Sequence, residues 1–517
     1  MSGELLLAID AGTGSCRAVL FDPDGSQVAI GQREYSHPEL PGHPGSQVFD
    51  TAANWELICA CVREALDGVD ASAVRAVSAT SMREGMVLWD ARGHEIWACP
   101  NVDSRAGDEA TELVRSGAAQ EIYDHAGDWV AITAPARFLW IARNEPDVFA
   151  SVAHVGMLGD WILQRLSGAF VTDPSLGSSS GMFELAARDW SDRVLEICGL
   201  DRSVFPDVVE PGAVVGTVTA AAAAQTGLRE GTPVVVGGAD TQLGLLGIGV
   251  TQPGRFTVVG GSFWQSTVVL DDPLIDPQAR LRTLCHTVPG RWMIEGIGFY
   301  CGIVMRWFRD AFCELEAAEA ARDGADVYDL LERKAASLPP GSNGVFGIFS
   351  NLMQASRWVH ASPGFVGFDV GSTGTGRVEC FRAIEESAAY VARGHLGIVE
   401  EIADLAIDSA VLTGGAAKGT LWPQIVADVL GLPVRVPAVK ESTALGAAIY
   451  AGVGAGLYDD AGAAADRLVR FERTFEPDAA AAQAYGEIYG RWLELYRRSL
   501  ELSEAGLVRP LWRAAGT

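Results

Sequence analysis

An unbroken apolar run, Leu5 to Ile9, opens the chain and reads as a buried strand, followed by a Gly-rich turn and a second apolar strand from Cys16 to Phe21. Asp22-Pro23-Asp24-Gly25 predicts a hairpin turn, with Ser26 to Gln32 as a third strand. The chain therefore begins as a strand meander, unlike a dinucleotide-binding start, in which a helix follows the first Gly turn. Further on, the pattern predicts a helix over Asn54 to Leu66, strands over Val74 to Ala79 and Met86 to Trp89, and a buried helix over Ser151 to Leu166. Irregular and strand structure is expected from Pro206 to Val218, then an Ala-rich helix over 219–226. A second cycle is expected to start near residue 232, where an apolar run enters Gly237-Gly238-Ala239-Asp240. It continues with a strand at Phe256 to Val259, Gly260-Gly261-Ser262, and another strand at Trp264 to Leu270. Late in the chain a strand over Ala410 to Thr413 runs into the Gly cluster at 414–419 and a helix over Leu421 to Leu430. The pattern predicts an α/β protein of two similar domains, 1–245 and 246–517. The helical spacing of Trp307, Phe308 and Phe312 predicts core.

Composition adds three constraints. A length of 517 residues with 48% hydrophobic and 20% charged residues is that of a globular chain able to bury large cores. A net charge of −27 repels phosphate backbones, so no nucleic-acid partner is expected, and a polyphosphate ligand has to be held by local geometry. The nine cysteines show no paired zinc spacing, and no apolar stretch approaches the roughly 20 residues of a membrane helix. A cytoplasmic protein with reduced thiols and no membrane partner is the expectation.

The 59 glycines bear on chemistry through where they fall. Asp10-Ala11-Gly12-Thr13-Gly14-Ser15 sits between two strands, exposes successive N–H groups and adds two hydroxyls suited to phosphate oxygens. Asp10 could hold magnesium through water, since that ion favours one or two carboxylates plus substrate phosphates. Alone, such a turn is equally a plain hairpin. Two more Gly clusters, 260–262 and 414–419, each directly after a predicted strand, point to ATP held in a cleft between two domains.

These segments resemble the FGGY carbohydrate kinases, and the resemblance covers nearly the whole chain. It implies two ribonuclease H-like domains of the actin, hexokinase and Hsp70 ATPase type with an ATP cleft between them, and ATP and Mg2+ as cofactors. It assigns ATP binding to Thr13, Gly14, Ser15 and Arg17, to Gly260, Gly261 and Ser262, and to Gly414, Gly415, Ala416 and Lys418. Asp240 falls at the place of the family's catalytic base, with a share in the metal site beside Asp10. Arg83 and Glu84 match a pair that binds substrate hydroxyls; Asp103 and Gln242 are assigned to the substrate as well. Arg137 stands where the family carries Lys. The second family signature, around Gly364 to Glu386, is carried mainly by 382–386, after an unusual run, Gly-Ser-Thr-Gly-Thr-Gly, at 371–376. Expected partners are a small polyol or dione substrate and, at most, a second copy of the chain as a homodimer. Without the resemblance, a helix N-cap is the lesser reading of Asp240, and a surface ion pair the leading one of Arg83–Glu84. Kinases of xylulose, ribulose, glycerol or erythritol, and a non-catalytic nucleotide sensor on the same fold, stay open.

Overall fold

Leu5–Ala11 (β1) is buried at every position, so its sequence is apolar throughout instead of alternating. In the computed structural model, which describes residues 3–352, 359–371 and 374–515, β1 is an interior strand of a six-stranded sheet. Antiparallel β2 (Ser15–Phe21) and β3 (Gln27–Glu34) complete the predicted meander on one side. On the other side lie parallel β4 (Val74–Ser81) and, beyond it, two further strands. One face of β1, with Leu5, Leu7 and Ile9, packs on Trp55, Ile58 and Val62 of α1 (Thr51–Ala65), whose N-cap is Asp50. Each such apolar side chain stabilises the fold by roughly 1.5–3 kcal/mol when fully buried.

A small sheet of β5 (Met86–Trp89), β6 (Glu95–Cys99) and β7 (His154–Met157) follows β4. Helix α2 (Ala134–Asn144) shares a core with this sheet, and α3 (Leu158–Ser167) packs directly on it. The helix expected over Ser151 to Leu166 is thus two elements: Val155 and Met157 pair antiparallel with Leu88 and Met86 before α3 begins. A continuous apolar run carries no periodicity that separates a buried strand from a buried helix. After the short helix α4 (Pro174–Ser179) come β8 (Val214–Thr217) and β9 (Pro233–Ala239). The strand near 232 does not open a second cycle. It completes the first sheet, in the order β8-β9-β4-β1-β2-β3, and hands the chain to α5 (Asp240–Gly247).

The second sheet has seven strands: β10 (Arg255–Gly260), β11 (Trp264–Leu270), β12 (Arg282–Cys285), β13 (Trp292–Gly298), β14 (Ser409–Gly414), β15 (Val434–Pro437) and β16 (Phe471–Phe475). Their order is β12-β13-β11-β10-β14-β15-β16. β10 pairs antiparallel with β11 and parallel with β14, repeating the relations of β1 to β2 and β4. Its helices include α6 (Arg377–Ile402) and α7 (Leu421–Leu430). Helix α8 (Ser442–Gly454) crosses back: Leu445, Ala448 and Tyr450 share a core with Leu6, Ala8 and Val19 of the first sheet.

Phe308 is buried as expected, but Trp307 and Phe312 are about half exposed, 46% and 49%, on the outer side of their helix. Their spacing gives one stripe, and that stripe is wider than the contact beneath it. Ser372 and Thr373 of the run at 371–376 lie outside the described residues. Among the described residues no helix is long and apolar enough to cross a membrane.

Candidate active site

The second and third Gly clusters meet. Parallel pairing of β10 and β14 sets Gly260 opposite Gly414, so both turns leave the sheet side by side. Gly414 has φ +84°, and a β-carbon there would lie 2.7 Å from the Gly260 carbonyl oxygen, so the approach requires glycine. Beside them opens a cavity of about 610 Å³, lined by Gly260, Gly261, Ser262, Gly415, Ala416 and Lys418. Its other walls include the rings of Phe381 on α6 and Trp422 on α7. Backbone N–H groups at the turns, the cations of Lys418, Arg306 and Arg309, and aromatic faces suit a nucleoside polyphosphate, and Asp326, Asp329, Glu332 and Glu385 line the same cavity.

The first turn is braced differently. Thr13 is exposed, and its hydroxyl accepts a hydrogen bond from Asn101 Nδ2 at 3.0 Å. Tyr35 donates its hydroxyl to the Gly12 carbonyl, and the Tyr35 amide donates to Gly14 O at 3.1 Å. Gly14 is exposed and Ser15 half-buried, so the tip of the turn is open. Arg17 is turned inward: it donates to Glu441 at 2.5 Å and to Ser15 Oγ at 3.3 Å, and lies 3.6 Å from Asp10. Its charge is thereby partly matched before any ligand arrives.

Asp10, the penultimate residue of β1, is 6% exposed and carries one buried oxygen, Oδ1, with no hydrogen-bond donor. Burial pushes its carboxyl up to about 7; Arg17 opposes this, and the charges of Asp240 and Glu441 add to it. Asp240 opens α5 with its carboxylate about 30% exposed, facing a second cavity of about 210 Å³. Val259 and Thr413, the residues just before Gly260 and Gly414, line that same cavity. Burial pushes Asp240 up to about 6, with Arg83 opposing and Glu84 adding.

Behind Asp240 runs a chain of buried charges. Arg83 Nε is 4.0 Å from Asp240 Oδ1, and its two terminal nitrogens each donate to Glu295 at 3.1 Å. Glu295 also accepts from Arg282 Nε at 2.8 Å. Arg282 in turn donates to Glu84 at 2.9 Å and to Asp128 at 3.1 Å. Burial alone would raise Glu295, but Arg83 and Arg282 outweigh it and hold the carboxyl below its ordinary value. Glu84 sits at φ +59°, an uncommon backbone for a side-chain-bearing residue, as expected where surrounding contacts fix a functional turn. Arg83 and Glu84 come from the end of β4, Arg282 and Glu295 from β12 and β13, so the network spans both sheets. Arg282, Glu295 and Asp128 were missing from the sequence reading. Glu295 had a signal, as the lone acid inside the apolar strand Trp292–Gly298.

Asp103 and Gln242 are placed less openly. Asp103 is 1% exposed; Oδ2 accepts from the Gln47 amide and from Arg105, both at 2.7 Å, and Oδ1 has no hydrogen-bond partner. Gln242 is fully buried on α5, donating to Cys285 O at 3.3 Å. Arg137, on α2, donates to the carbonyls of Glu84, Asn101 and Asp103, tying those loops together. Its fan of donors suits several carbonyls at once, which an ammonium could not cover as widely.

Among the described residues no group of three or more His, Cys, Asp or Glu is set to hold a metal. The unpartnered Asp10 Oδ1 suits a magnesium ion, to which Asp10 and Asp240 would supply one or two oxygens, and phosphates and water the rest. When bound, the ion would neutralise charge on the terminal phosphates.

The model of the N-terminal domain of the FGGY family of carbohydrate kinases matches residues 5–247, and that of the C-terminal domain matches residues 262–455. The chain is 46% identical to the autoinducer-2 kinase of Yersinia enterocolitica over 520 residues, covering 100% of this chain and 98% of that one. It is 45% identical to the autoinducer-2 kinase of Klebsiella pneumoniae, covering 99% and 97%. Xylulose kinase from Rhodospirillum rubrum superposes with a TM-score of 0.85 at 28% identity, over 96% of this chain and 99% of that one. With both domain models matched in order and relatives aligned end to end, the chain belongs to the FGGY family of carbohydrate kinases.

Proposed function

We propose that the protein transfers the γ-phosphoryl group of ATP to the C5 hydroxyl of autoinducer-2, in its form 4,5-dihydroxypentane-2,3-dione, giving phospho-autoinducer-2 and ADP. The observation that carries this reading is the end-to-end identity of 46% with an autoinducer-2 kinase, together with a carboxylate, Asp240, facing the cavity beneath Gly260 and Gly414. In the sequence, the segments 81–88, 96–99, 101–103, 260–265, 305–313 and 339–342 resemble that enzyme.

In this reading the chain divides near residue 245. The first half brings the acceptor, with Arg83 and Glu84 on its hydroxyls and Asp103 and Gln242 shaping the pocket. The second half brings the nucleotide, with Gly260, Gly261 and Ser262 on the terminal phosphates and Gly414, Gly415, Ala416 and Lys418 on the rest. The open tip at Thr13, Gly14 and Ser15 meets the γ-phosphate from the opposite side, and Arg17 steadies Asp10. Asp240 accepts the proton of the attacking hydroxyl. With its carboxyl up at about 6, it is a stronger base than an ordinary aspartate and still ionised at neutral pH. Phosphoryl transfer asks for alignment and charge stabilisation above all, and one acceptor in line with the γ-phosphate meets the need. The reaction runs in the cytoplasm, and the added charge retains the product there.

Asp240→Asn is expected to lower turnover by about 10³-fold or more while calorimetry still detects ATP binding, because the base is lost and the Gly turns remain. Undiminished turnover would remove Asp240 from the chemistry. A panel of dihydroxypentanedione, xylulose, ribulose, glycerol and erythritol under MgATP decides the substrate: a higher kcat/KM for xylulose would replace it, and no ADP release with any of them would favour a nucleotide sensor.

A further inference from the structure

Helix α4, with Pro174-Ser175-Leu176-Gly177-Ser178-Ser179, packs three buried hydroxyls into six residues, and each goes somewhere different. Ser179 Oγ stays within its own helix, donating to Leu176 O at 2.8 Å. Ser178 Oγ donates to Ser175 O at 3.2 Å and also accepts the Cys285 amide at 3.0 Å, at the end of β12 in the other sheet. Ser175 Oγ donates to Asp173 Oδ1 and accepts the Ala239 amide at 2.9 Å. Ala239 immediately precedes Asp240.

The bend around Ala239 is confined on every side. Gly238 has φ +155°, and a β-carbon there would lie 2.6 Å from Thr287 Cγ2 and 2.7 Å from Ser175 Oγ. Thr443 donates its hydroxyl to Asp240 O at 3.3 Å, from α8. Asp173 accepts the Ser175 and Leu176 amides at 2.7 and 3.4 Å, so its carboxylate is fixed by the helix it caps. A hydroxyl whose proton is committed to that carboxylate must present a lone pair to the Ala239 N–H, and the carboxylate strengthens it as an acceptor.

We propose that Asp173 and Ser175 form a positioning pair for Asp240, holding the peptide before it so that its carboxylate meets the acceptor hydroxyl in line with the phosphate. The inference rests on the reading of Asp240 as the base. Ser175 never touches substrate; it sets where the base stands. Misplacing a reacting group by about 1 Å costs on the order of 10²-fold, while the nucleotide cavity, lined by other residues, is untouched.

The test compares kcat, KM for ATP and the number of ATP sites per chain by calorimetry, with dihydroxypentanedione as acceptor. Ser175→Ala is expected to lower kcat by about 10- to 100-fold, with KM for ATP within about twofold and one ATP site per chain retained. Ser179→Ala, which removes a hydroxyl from the same short helix without touching the bend, is expected to match the wild type. Asp173→Ala should follow Ser175→Ala, and Asp173→Asn, which keeps an acceptor for the hydroxyl, should recover most of the rate. Wild-type kcat in Ser175→Ala overturns the proposal. So does a loss of kcat that only follows a loss of ATP sites, or an equal loss in Ser179→Ala. Should Ser175→Ala fail to fold, equal rates in the two Asp173 variants overturn it. Undiminished turnover in Asp240→Asn would instead overturn the base assignment beneath it, whatever the serine variants do.

Discussion

At the end of β4 the chain carries Arg83 and Glu84; at the end of β14, in the same place relative to its own sheet, it carries Gly415 and Ala416. The frames are alike. β1 and β10 each run into a Gly turn, return as an antiparallel strand, and take β4 or β14 as parallel neighbour on the other side. One frame ends in fixed charge and the other in bare backbone. In the proposed reading the difference follows from what each frame would hold. A small polyol or dione offers only neutral oxygens, so its site needs strong donors and acceptors, and these have to be paired with one another to survive burial. A polyphosphate brings its own charge and a metal ion, so its site needs N–H groups and room.

The charged frame should break first and most. Glu295 holds both Arg83 and Arg282, and Glu295→Ala would leave two guanidiniums in the interior without their shared carboxylate. A loss of about 3–5 kcal/mol in unfolding free energy is expected, with turnover gone. Glu295→Gln, which keeps two polar atoms in place, should lose less. Denaturant unfolding of the two variants checks this, and a loss under about 1 kcal/mol in Glu295→Ala would show that the network is not what holds Arg83 in place.

The bare frame should break more mildly and in one substrate only. Gly414→Ala puts a β-carbon 2.7 Å from Gly260 O at a φ of +84°, a strain of about 1–3 kcal/mol. It should separate the two Gly turns, raising KM for ATP about tenfold or more and leaving KM for the acceptor nearly unchanged. Steady-state kinetics with each substrate varied in turn measures the split. Equal rises in both constants would mean that the two frames are not functionally separate.

The sequence showed the bare frame more fully than the charged one, for a physical reason. Gly clusters directly after apolar runs are local signals, and 260–262 and 414–419 could be read one at a time, though only parallel pairing reveals that they touch. The strands β5 and β11 and the helix α7 were legible to the residue because turn residues bound them. The charged network joins residues 83, 84, 128, 282 and 295, brought together by strands of both sheets, and no local spacing encodes such a meeting. The same holds for Arg17, whose partner Glu441 lies 424 positions away. The strand Pro233–Ala239 looked like a new beginning because an apolar strand before a Gly turn carries no mark of the sheet it joins.

The last effect, visible only as pH changes, comes from the imbalance within the charged frame, which sets the carboxylates of Glu84, Asp128, Asp240 and Glu295 against the guanidiniums of Arg83 and Arg282. Asp128 shows the consequence: burial pushes it up to about 6, although Arg282 lies 3.1 Å away and opposes the shift. A carboxyl raised in the folded state binds its proton more tightly there than when unfolded. Its stabilising contribution is therefore complete below about pH 4 and is lost as pH rises from about 4 through about 6. The rise from an ordinary aspartate to about 6 corresponds to about 3 kcal/mol at most. Asp128→Asn removes the titration while keeping the shape, so the difference in unfolding free energy between variant and wild type should move in the variant's favour by up to about 3 kcal/mol between pH 4 and pH 7. Any cost of the substitution that does not depend on pH cancels in that comparison, whereas the attraction of Arg282 for the ionised carboxylate is part of the shift itself. A difference that stays flat across the window would mean that Arg282 offsets the burial of Asp128 in full.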